Sequence, residues 1–353
     1  MPDPEHPAAT LTVAIHQPVL AETRRDNFNA IRLALALGVL LSHSYAMVGL
    51  PEPIVMGRTL GNLCVHGFFA ISGYMITLSF VRSHGVARFA VHRMLRIGPA
   101  LVVALLFTRA LRYGVGDFAA NPIPHIMNGV IWTIPWEAVC YVLAAAAGVL
   151  GILNPERFNV FLATVLVFAF ADAHWGSESY LVLMPLMLLF AGGAFLAIYE
   201  PRINVRRLAL AAAVAAALVH SERSLHLVQG LVDWVPWSYP PGGGFLTLHT
   251  CLHLFAVPVL ALWLGHYAPP VFALRSDLSY GAYLYGWPVQ QTLVAGFLAA
   301  GWKLSPLVLF VLALAGTLLL AWASWVVIER PALRLKNLDL PRMRTMLARA
   351  RRA

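Results

Sequence analysis

Residues 28–48 read FNAIRLALALGVLLSHSYAMV, an apolar run interrupted by one arginine and one histidine. Because an α-helix rises about 1.5 Å per residue, this run can cross the roughly 30 Å hydrocarbon layer of a bilayer. Similar runs recur along the 353-residue chain, in which 59% of residues are hydrophobic and 12% are charged. Soluble domains carry roughly a quarter charged residues. The sequence therefore predicts an all-α, polytopic integral membrane protein.

Hydropathy predicts about ten transmembrane helices. Their predicted positions are residues 28–48, 62–81, 97–113, 129–152, 158–173, 180–199, 206–220, 246–267, 279–300 and 305–328. With residue 1 in the cytoplasm, this arrangement places most of the 25 Lys and Arg on the cytoplasmic side. That asymmetry follows the positive-inside rule. We therefore expect an even number of spans and two cytoplasmic termini.

Three regions are predicted along the chain: a cytoplasmic N-terminal arm at residues 1–25, a transmembrane domain at 26–336 and a basic cytoplasmic tail at 337–353. Much of the formal charge of +9 lies after the last predicted helix. A short basic tail in that position is a topology signal that attracts anionic lipid, so the bilayer and not nucleic acid is the expected partner. The three cysteines lie singly in apolar runs, which predicts neither a disulfide framework nor a metal site.

Two ionisable residues share a face of the first predicted helix. Side chains of this kind are costly inside a membrane and usually face a cavity or one another. Arg32 and His43 are eleven residues apart, which corresponds to about 16 Å of rise and about three turns. A positive-inside arginine and a structurally satisfied histidine would explain each residue separately. The shared face and the depth that it spans favour a functional pair.

Glu137 lies inside the fourth predicted helix, at a depth comparable to that of His43 on its own helix. A carboxylate at that depth can orient the imidazole and fix its tautomer, so Glu137 is a candidate catalytic partner of His43. The alternative is a carboxylate that is buried against the backbone or against another arginine. Of the two, the sequence favours the catalytic or orienting role.

Arg93 and Arg96 form an Arg-x-x-Arg motif at the cytoplasmic end of the third predicted helix. Residues three apart share a helix face, and guanidinium groups bind oxyanions in bidentate fashion. The pair is therefore a candidate phosphate site. From the spacing alone, two further positive-inside arginines are the simpler interpretation.

Four tryptophans are candidate carbohydrate-stacking residues. Trp132 and Trp136 lie in the fourth predicted helix, and Trp234 and Trp237 lie in the predicted outer loop 221–245. Tryptophan is also enriched at membrane interfaces. A sugar platform and an interfacial aromatic belt are therefore equally supported.

The ninth predicted helix begins with an unusually polar segment. It contains Ser279 and Tyr283 before Pro288, and the backbone carbonyls that a proline frees need cover from neighbouring groups. This pattern favours the wall of a cavity over interfacial tyrosines.

Several of these motifs occur together and in a fixed order. They are Arg32-x10-His43, GFFAISGYMIT at 67–77, the Arg-x-x-Arg at 93–96, WTIPWE at 132–137, SYGAY at 279–283 and VIERP at 327–331. Over about residues 26–336 the chain resembles the membrane acyltransferase-3 family, whose members O-acylate bacterial polysaccharides, lipopolysaccharide, Nod factors and related glycans. The resemblance implies that residues 26–336 are an acyltransferase domain.

The resemblance also assigns roles to individual residues. His43 corresponds to the essential histidine of the family and Arg32 to its paired arginine. Arg93 and Arg96 match the pair assigned to acyl-CoA, and Ser279 and Tyr283 match a further functional motif that we group with the donor-binding residues. One departure is Gly286, because many members have a histidine at that position.

Together these features predict transfer of an acyl group, most simply acetyl from acetyl-CoA, to a hydroxyl of a cell-surface or exported carbohydrate across the bacterial inner membrane. His43 would act as general base or as transient acyl carrier. No metal is implied. A transporter of a small anion or a lipid-linked sugar is the alternative, since such proteins also place charges and kinked helices near the midplane.

Overall fold

A computed structural model describes residues 27–83, 85–175, 183–221, 248–269, 274 and 276–337. Its long helices are α1 (Phe28–Met47), α2 (Leu60–Arg82), α3 (Val86–Val115), α4 (Thr133–Val149), α5 (Pro155–Trp175), α6 (Leu183–Tyr199), α7 (Val205–His220), α8 (Leu248–Leu262), α9 (Ser279–Ala299) and α10 (Pro306–Ser324). The shorter elements are 3₁₀ turns at Glu200–Arg202 and Leu335–Asn337, π-helical turns at Trp263–Tyr267 and Trp325–Glu329, α11 (Arg330–Arg334), and strands β1 (Ile54–Val55) and β2 (Arg58–Thr59). The predicted all-α class is confirmed.

Six segments of the described chain are long and apolar enough to cross a membrane. They are Phe28–Met47, Leu60–Arg82, Val86–Val115, Leu183–Arg202, His249–Tyr267 and Pro306–Arg334. The chain is thus a multi-pass membrane protein. Each of the ten predicted spans overlaps one long helix, while the number of crossings and the side of the termini stay predictions.

The third helix is longer than predicted. It begins at Val86 rather than at residue 97, because its first turns alternate apolar with basic residues and hydropathy alone does not mark them as a span. This extension places Arg88 and Arg93 on a regular helix. Their side chains contribute to a cavity described below.

Helix α2 lies at the centre of the fold and packs against α1, α4, α6 and α8. Its contact with α6 is a backbone-to-backbone contact through glycines. A Cβ atom on Gly73 would lie 1.9 Å from the carbonyl oxygen of Phe190, and one on Gly193 would lie 2.1 Å from that of Ala70. Small residues allow this close approach between membrane helices. The glycines of the GFFAISGYMIT motif therefore include one that fixes helix packing.

A short hairpin joins α1 to α2. β1 and β2 pair antiparallel with Val55 opposite Arg58, and the two turn residues Met56 and Gly57 have φ of 53° and 68°. Positive φ at both positions defines a type I′ turn. The Met56 N–H donates a hydrogen bond to Nδ1 of His220 at 3.3 Å, so the hairpin is tied to α7.

Candidate active site

Three cavities follow one another along α2. The first, named the His43 cavity, includes Asn62 and His66 of α2 in its lining. The second, the Arg32 cavity, includes Phe68 and Ser72, and the third, the basic cavity, includes Ser79. At about 1.5 Å per residue, Asn62 and Ser79 are about 25 Å apart along the helix. The three cavities therefore extend over most of the thickness of a bilayer.

The His43 cavity has a volume of about 220 Å³. Its polar and aromatic lining consists of His43, Glu52, Arg58, Thr59, Asn62, His66, Trp132 and Tyr283. The imidazole of His43 packs edge-on against Trp287, with ring centroids 4.8 Å apart. Within the described residues, neither ring nitrogen of His43 forms a hydrogen bond. The ring is thus positioned by packing, and its nitrogens are available to a molecule in the cavity.

Trp287 is itself held by its surroundings. It is buried, and its indole N–H donates a hydrogen bond to the carbonyl oxygen of Ile126 at 3.0 Å. Its ring lies over Gly129, where a Cβ atom would approach the ring to 2.5 Å. Gly129 is therefore needed to admit Trp287, which in turn positions His43.

The Arg32 cavity is the smallest of the three, at about 60 Å³. Its polar lining consists of Arg32, Ser72, Arg96, Thr133, Glu137, Tyr141, Ser279, Tyr280 and Tyr283, and the remaining lining residues are apolar or aromatic. A cavity of this volume has room for a slender chain but not for a bulky polar group.

Asp277 joins the charged residues of the Arg32 cavity. Its Oδ2 accepts a hydrogen bond from Nη1 of Arg32 at 2.6 Å and also pairs with Arg96. Its Oδ1 accepts from the N–H of Ser279 at 3.2 Å and from the Ser279 hydroxyl. Burial raises the pKa of Asp277, but Arg32, Arg96 and the Ser279 hydrogen bonds outweigh it and hold the pKa below its usual range. Asp277 therefore stays ionised and fixes α1, α3 and α9 relative to one another.

The two arginines of the predicted phosphate site lie in different surroundings. Arg96 lines the Arg32 cavity and pairs with two carboxylates, Asp277 and, at 3.5 Å, Glu329. Arg93 lines the basic cavity and donates a hydrogen bond to the Ser79 hydroxyl at 3.1 Å. Arg93 and Arg96 are three residues apart and share a side of α3, but their long side chains extend into different cavities. Arg96 is thus neutralised by acids, whereas Arg93 faces other cations.

The basic cavity is the largest, at about 630 Å³. Its lining consists of Met75, Ser79, Arg82, Ser83, Arg88, His92, Arg93 and Lys336. None of these described lining residues is acidic. Burial, together with the charges of Arg93 and Arg96, lowers the pKa of Lys336 to about 8. Such a concentration of positive charge favours a ligand that carries several phosphates.

The predicted pairing of Glu137 with His43 is not formed. Glu137 accepts a hydrogen bond from the Tyr141 hydroxyl and lines the Arg32 cavity, whereas His43 lines the neighbouring cavity. Equal depth in the membrane did not determine the direction in which each side chain extends. Glu137 belongs with Arg32, which agrees with the alternative that it is buried near an arginine.

Tyr283 separates the His43 cavity from the Arg32 cavity. It lines both, as does Val65. Its hydroxyl lies 2.9 Å from the Thr133 hydroxyl and donates to the carbonyl oxygen of Val130 at 3.3 Å. The start of α9 thus forms part of a cavity wall, as predicted. Ser279 is hydrogen-bonded to Asp277, and Tyr283 lies at the boundary between the Arg32 and His43 cavities.

The candidate tryptophans have different environments. Trp132 lines the His43 cavity and is 46% exposed, so it can stack on a bound sugar. Trp136 instead packs against the main hydrophobic core and does not line that cavity, because it lies one helical turn further along α4. Trp234 and Trp237 lie outside the described residues. Trp132 alone of the described pair remains a candidate for stacking.

Gly286, the predicted departure from the family pattern, is buried on α9 against α1. A Cβ atom at Gly286 would lie 3.0 Å from Cδ1 of Leu40 on α1. A side chain at this position would require the Leu40 side chain to shift by a few tenths of an ångström.

Sequence reasoning did not identify Asp277, Trp287, Arg58 or Lys336 as parts of the site. The need of Arg32 for a counter-charge inside the membrane was a signal that pointed to a nearby acid. The other three resemble ordinary interfacial or flanking residues in the sequence, and only their neighbours in space distinguish them.

The comparisons with known proteins identify the family. The chain matches the family described as an acyltransferase domain over residues 25–326. It is 30% identical over 339 positions to an O-acetyl transferase of Shigella phage Sf6, covering 86% of this chain and 94% of the relative. It is also 28% identical over 358 positions to nodulation protein 10 of Rhizobium leguminosarum bv. viciae, covering 89% of this chain and 94% of that relative. No solved structure matches the chain.

The chain therefore belongs to the acyltransferase-3 family, and the predicted resemblance is confirmed. The protein is an acyltransferase, and the family together with the O-acetyl transferase relative supports O-acyl transfer.

Proposed function

We propose that the protein transfers an acyl group, acetyl in the simplest case, from acyl-CoA to a carbohydrate hydroxyl. The observation that carries this proposal is the order of the three cavities along α2. A group of cations lies at one end, a histidine whose ring has no hydrogen bond to the described residues lies at the other, and the small Arg32 cavity lies between them. This order matches the charge and shape of acyl-CoA from its phosphates to its thioester.

The basic cavity holds the phosphates of CoA in this proposal. Arg93, Arg82, Arg88 and Lys336 supply the positive charge, and guanidinium forks bind phosphate oxygens in bidentate fashion. Arg96 and Arg32 are not phosphate ligands, because Asp277 already pairs with both. They instead form a rigid wall beside the path of the pantetheine arm.

The thioester reaches the His43 cavity after the arm passes Tyr283. Neutral His43 takes the proton of the acceptor hydroxyl while the hydroxyl oxygen bonds to the acyl carbon. The carbon–sulfur bond then breaks, and the protonated imidazole returns its proton to the thiolate, which gives the ester and free CoA. Transient acylation of His43 before the acceptor arrives is the second route. Glu137 acts from the Arg32 cavity as a positioning charge and not as the partner of His43.

The positive-inside rule supports a cytoplasmic basic cavity and an outward-facing His43 cavity. This arrangement would carry an acyl group from cytoplasmic CoA to a carbohydrate on the other side of a bacterial inner membrane. Trp132 at the rim of the His43 cavity supports a sugar as the acceptor, since exposed aromatic rings stack on sugars.

Reconstituted protein supplied with radiolabelled acetyl-CoA and a crude glycan acceptor tests the proposal. We expect label on the glycan with the unaltered protein and none with His43→Ala. His125→Ala is the matched control, because His125 is an exposed histidine paired with Asp117 away from the three cavities. Transfer by His43→Ala at the unaltered rate would contradict the proposal, and movement of sugar across vesicles without CoA would favour a transporter.

A further inference from the structure

Arg58 shares the cavity of His43 and forms no ion pair with any residue that the structure describes. It lines the His43 cavity, and its Nε atom is buried without a hydrogen-bond partner. Among the described residues, no carboxylate forms an ion pair with it, in contrast to Arg32 and Arg96. A buried polar group without a partner is uncommon in folded proteins and calls for a physical explanation.

The hairpin fixes the position of Arg58. The type I′ turn sets the backbone direction just before it, and the Met56 N–H is bonded to His220. Gly57 lies against α8, where a Cβ atom would come within 2.3 Å of Nε2 of His249. The backbone of Arg58 is therefore fixed beside the cavity, and its half-buried side chain contributes to the lining.

Arg58 and the carboxylate of Glu52 line the same cavity but form no ion pair, and no other described carboxylate pairs with Arg58. Burial lowers its pKa, and the nearby side chain of His66 is an imidazole engaged with His253 at 2.7 Å. Glu52 lines the same cavity but accepts a hydrogen bond from the Ser42 hydroxyl. A half-buried guanidinium with a buried, unpartnered Nε costs free energy, and an anionic ligand would reduce that cost.

We infer that the acceptor carries an acidic substituent, a carboxylate or a phosphate, and that Arg58 binds this group while His43 faces the hydroxyl to be acylated. This inference rests on the proposed function, because it assigns the acceptor to the His43 cavity. The guanidinium fork suits both oxyanions. Glu52, on the same cavity wall, is placed to accept from a sugar hydroxyl.

Binding of three matched sugars to the purified full-length protein tests the inference. The probes are p-nitrophenyl glucoside, p-nitrophenyl glucuronide and p-nitrophenyl glucoside 6-phosphate, which differ only at C6. Hydrogen bonds to charged groups predict a preference of about ten- to a hundred-fold for an anionic probe. The glucuronide and the phosphate distinguish a carboxylate from a phosphate substituent.

Variants of the protein test whether Arg58 causes the preference for anionic probes. Arg58→Gln should bind the three probes equally, and Arg58→Lys should keep part of the preference because it keeps the charge without the fork. Arg112→Gln, at the exposed end of α3, should retain the full preference. Thermal unfolding of each variant checks that it is folded.

The outcomes separate this inference from the proposed function. The inference would be overturned if the unaltered protein bound the three probes equally or bound none of them. It would also be overturned if folded Arg58→Lys and Arg58→Gln kept the full preference for the anionic probes. Label transfer from acetyl-CoA is measured separately. Its absence would overturn the proposed function while leaving an Arg58-dependent anion site in place.

Discussion

Replacing Asp277 by asparagine should destabilise the protein strongly, because one carboxylate pairs with two arginines. The side chains of Asp277, Arg32 and Arg96 are 10%, 20% and 13% exposed. Arg96 keeps Glu329 at 3.5 Å, whereas among the described residues Arg32 has no second carboxylate within ion-pair distance and only the more distant attraction of Glu137. Removal of one member of a buried ion pair typically costs about 3–5 kcal/mol. Since Arg96 retains a partner, we expect about 3 kcal/mol for Asp277→Asn at pH 7.

Reversible unfolding of the detergent-solubilised protein measures this loss. Asp117→Asn is the matched control, because Asp117 pairs with His125 on an exposed loop, and we expect no measurable change there. The folded-state pKa of Asp277 is lowered, so its contribution is present above the pKa of the unfolded chain and is lost as the pH falls through the folded value. An Asp277→Asn protein as stable as the unaltered protein at pH 7 would refute this reasoning.

Two further predictions concern the basic cavity and helix packing. The affinity for CoA should fall as the pH rises through about 8, the pKa of Lys336. In titration calorimetry, Lys336→Gln should bind CoA more weakly and without this pH dependence. An identical pH profile in the variant would exclude the role of Lys336. Gly73→Ala should lower stability by at least about 1–3 kcal/mol, because its Cβ would clash with the Phe190 backbone. Gly98→Ala, with no atom within 4 Å of the added Cβ, should be neutral or stabilising, and equal losses in thermal unfolding of the two variants would contradict the packing argument.

Helices were predictable because membrane burial imposes a simple length and polarity rule on the sequence. The run 28–48 gave α1 to within one residue, and the predicted common face of Arg32 and His43 agrees with their positions on adjacent cavities. The start of α3 was missed, because basic residues at its first turns lower the hydropathy of a segment that is still helical.

Side-chain partners were less predictable, because depth in a membrane does not specify direction around a helix axis. Glu137 was assigned to His43 from depth and lies instead with Tyr141 and Arg32. The family resemblance assigned Arg93 and Arg96 to one ligand, yet Asp277 and Glu329 engage Arg96 from distant parts of the chain. Such partners, far apart in sequence, become visible only after the helices are packed.

Transfer across a sealed membrane tests the central claim that a donor from the basic cavity reaches His43 at the other end of α2. Vesicles with uniformly oriented protein would receive acetyl-CoA only on the side of the basic cavity and an acylatable glycan only on the side of the His43 cavity. We predict ester formation on the glycan, with none for His43→Ala. Product that forms only when both substrates are on one side would contradict the claim.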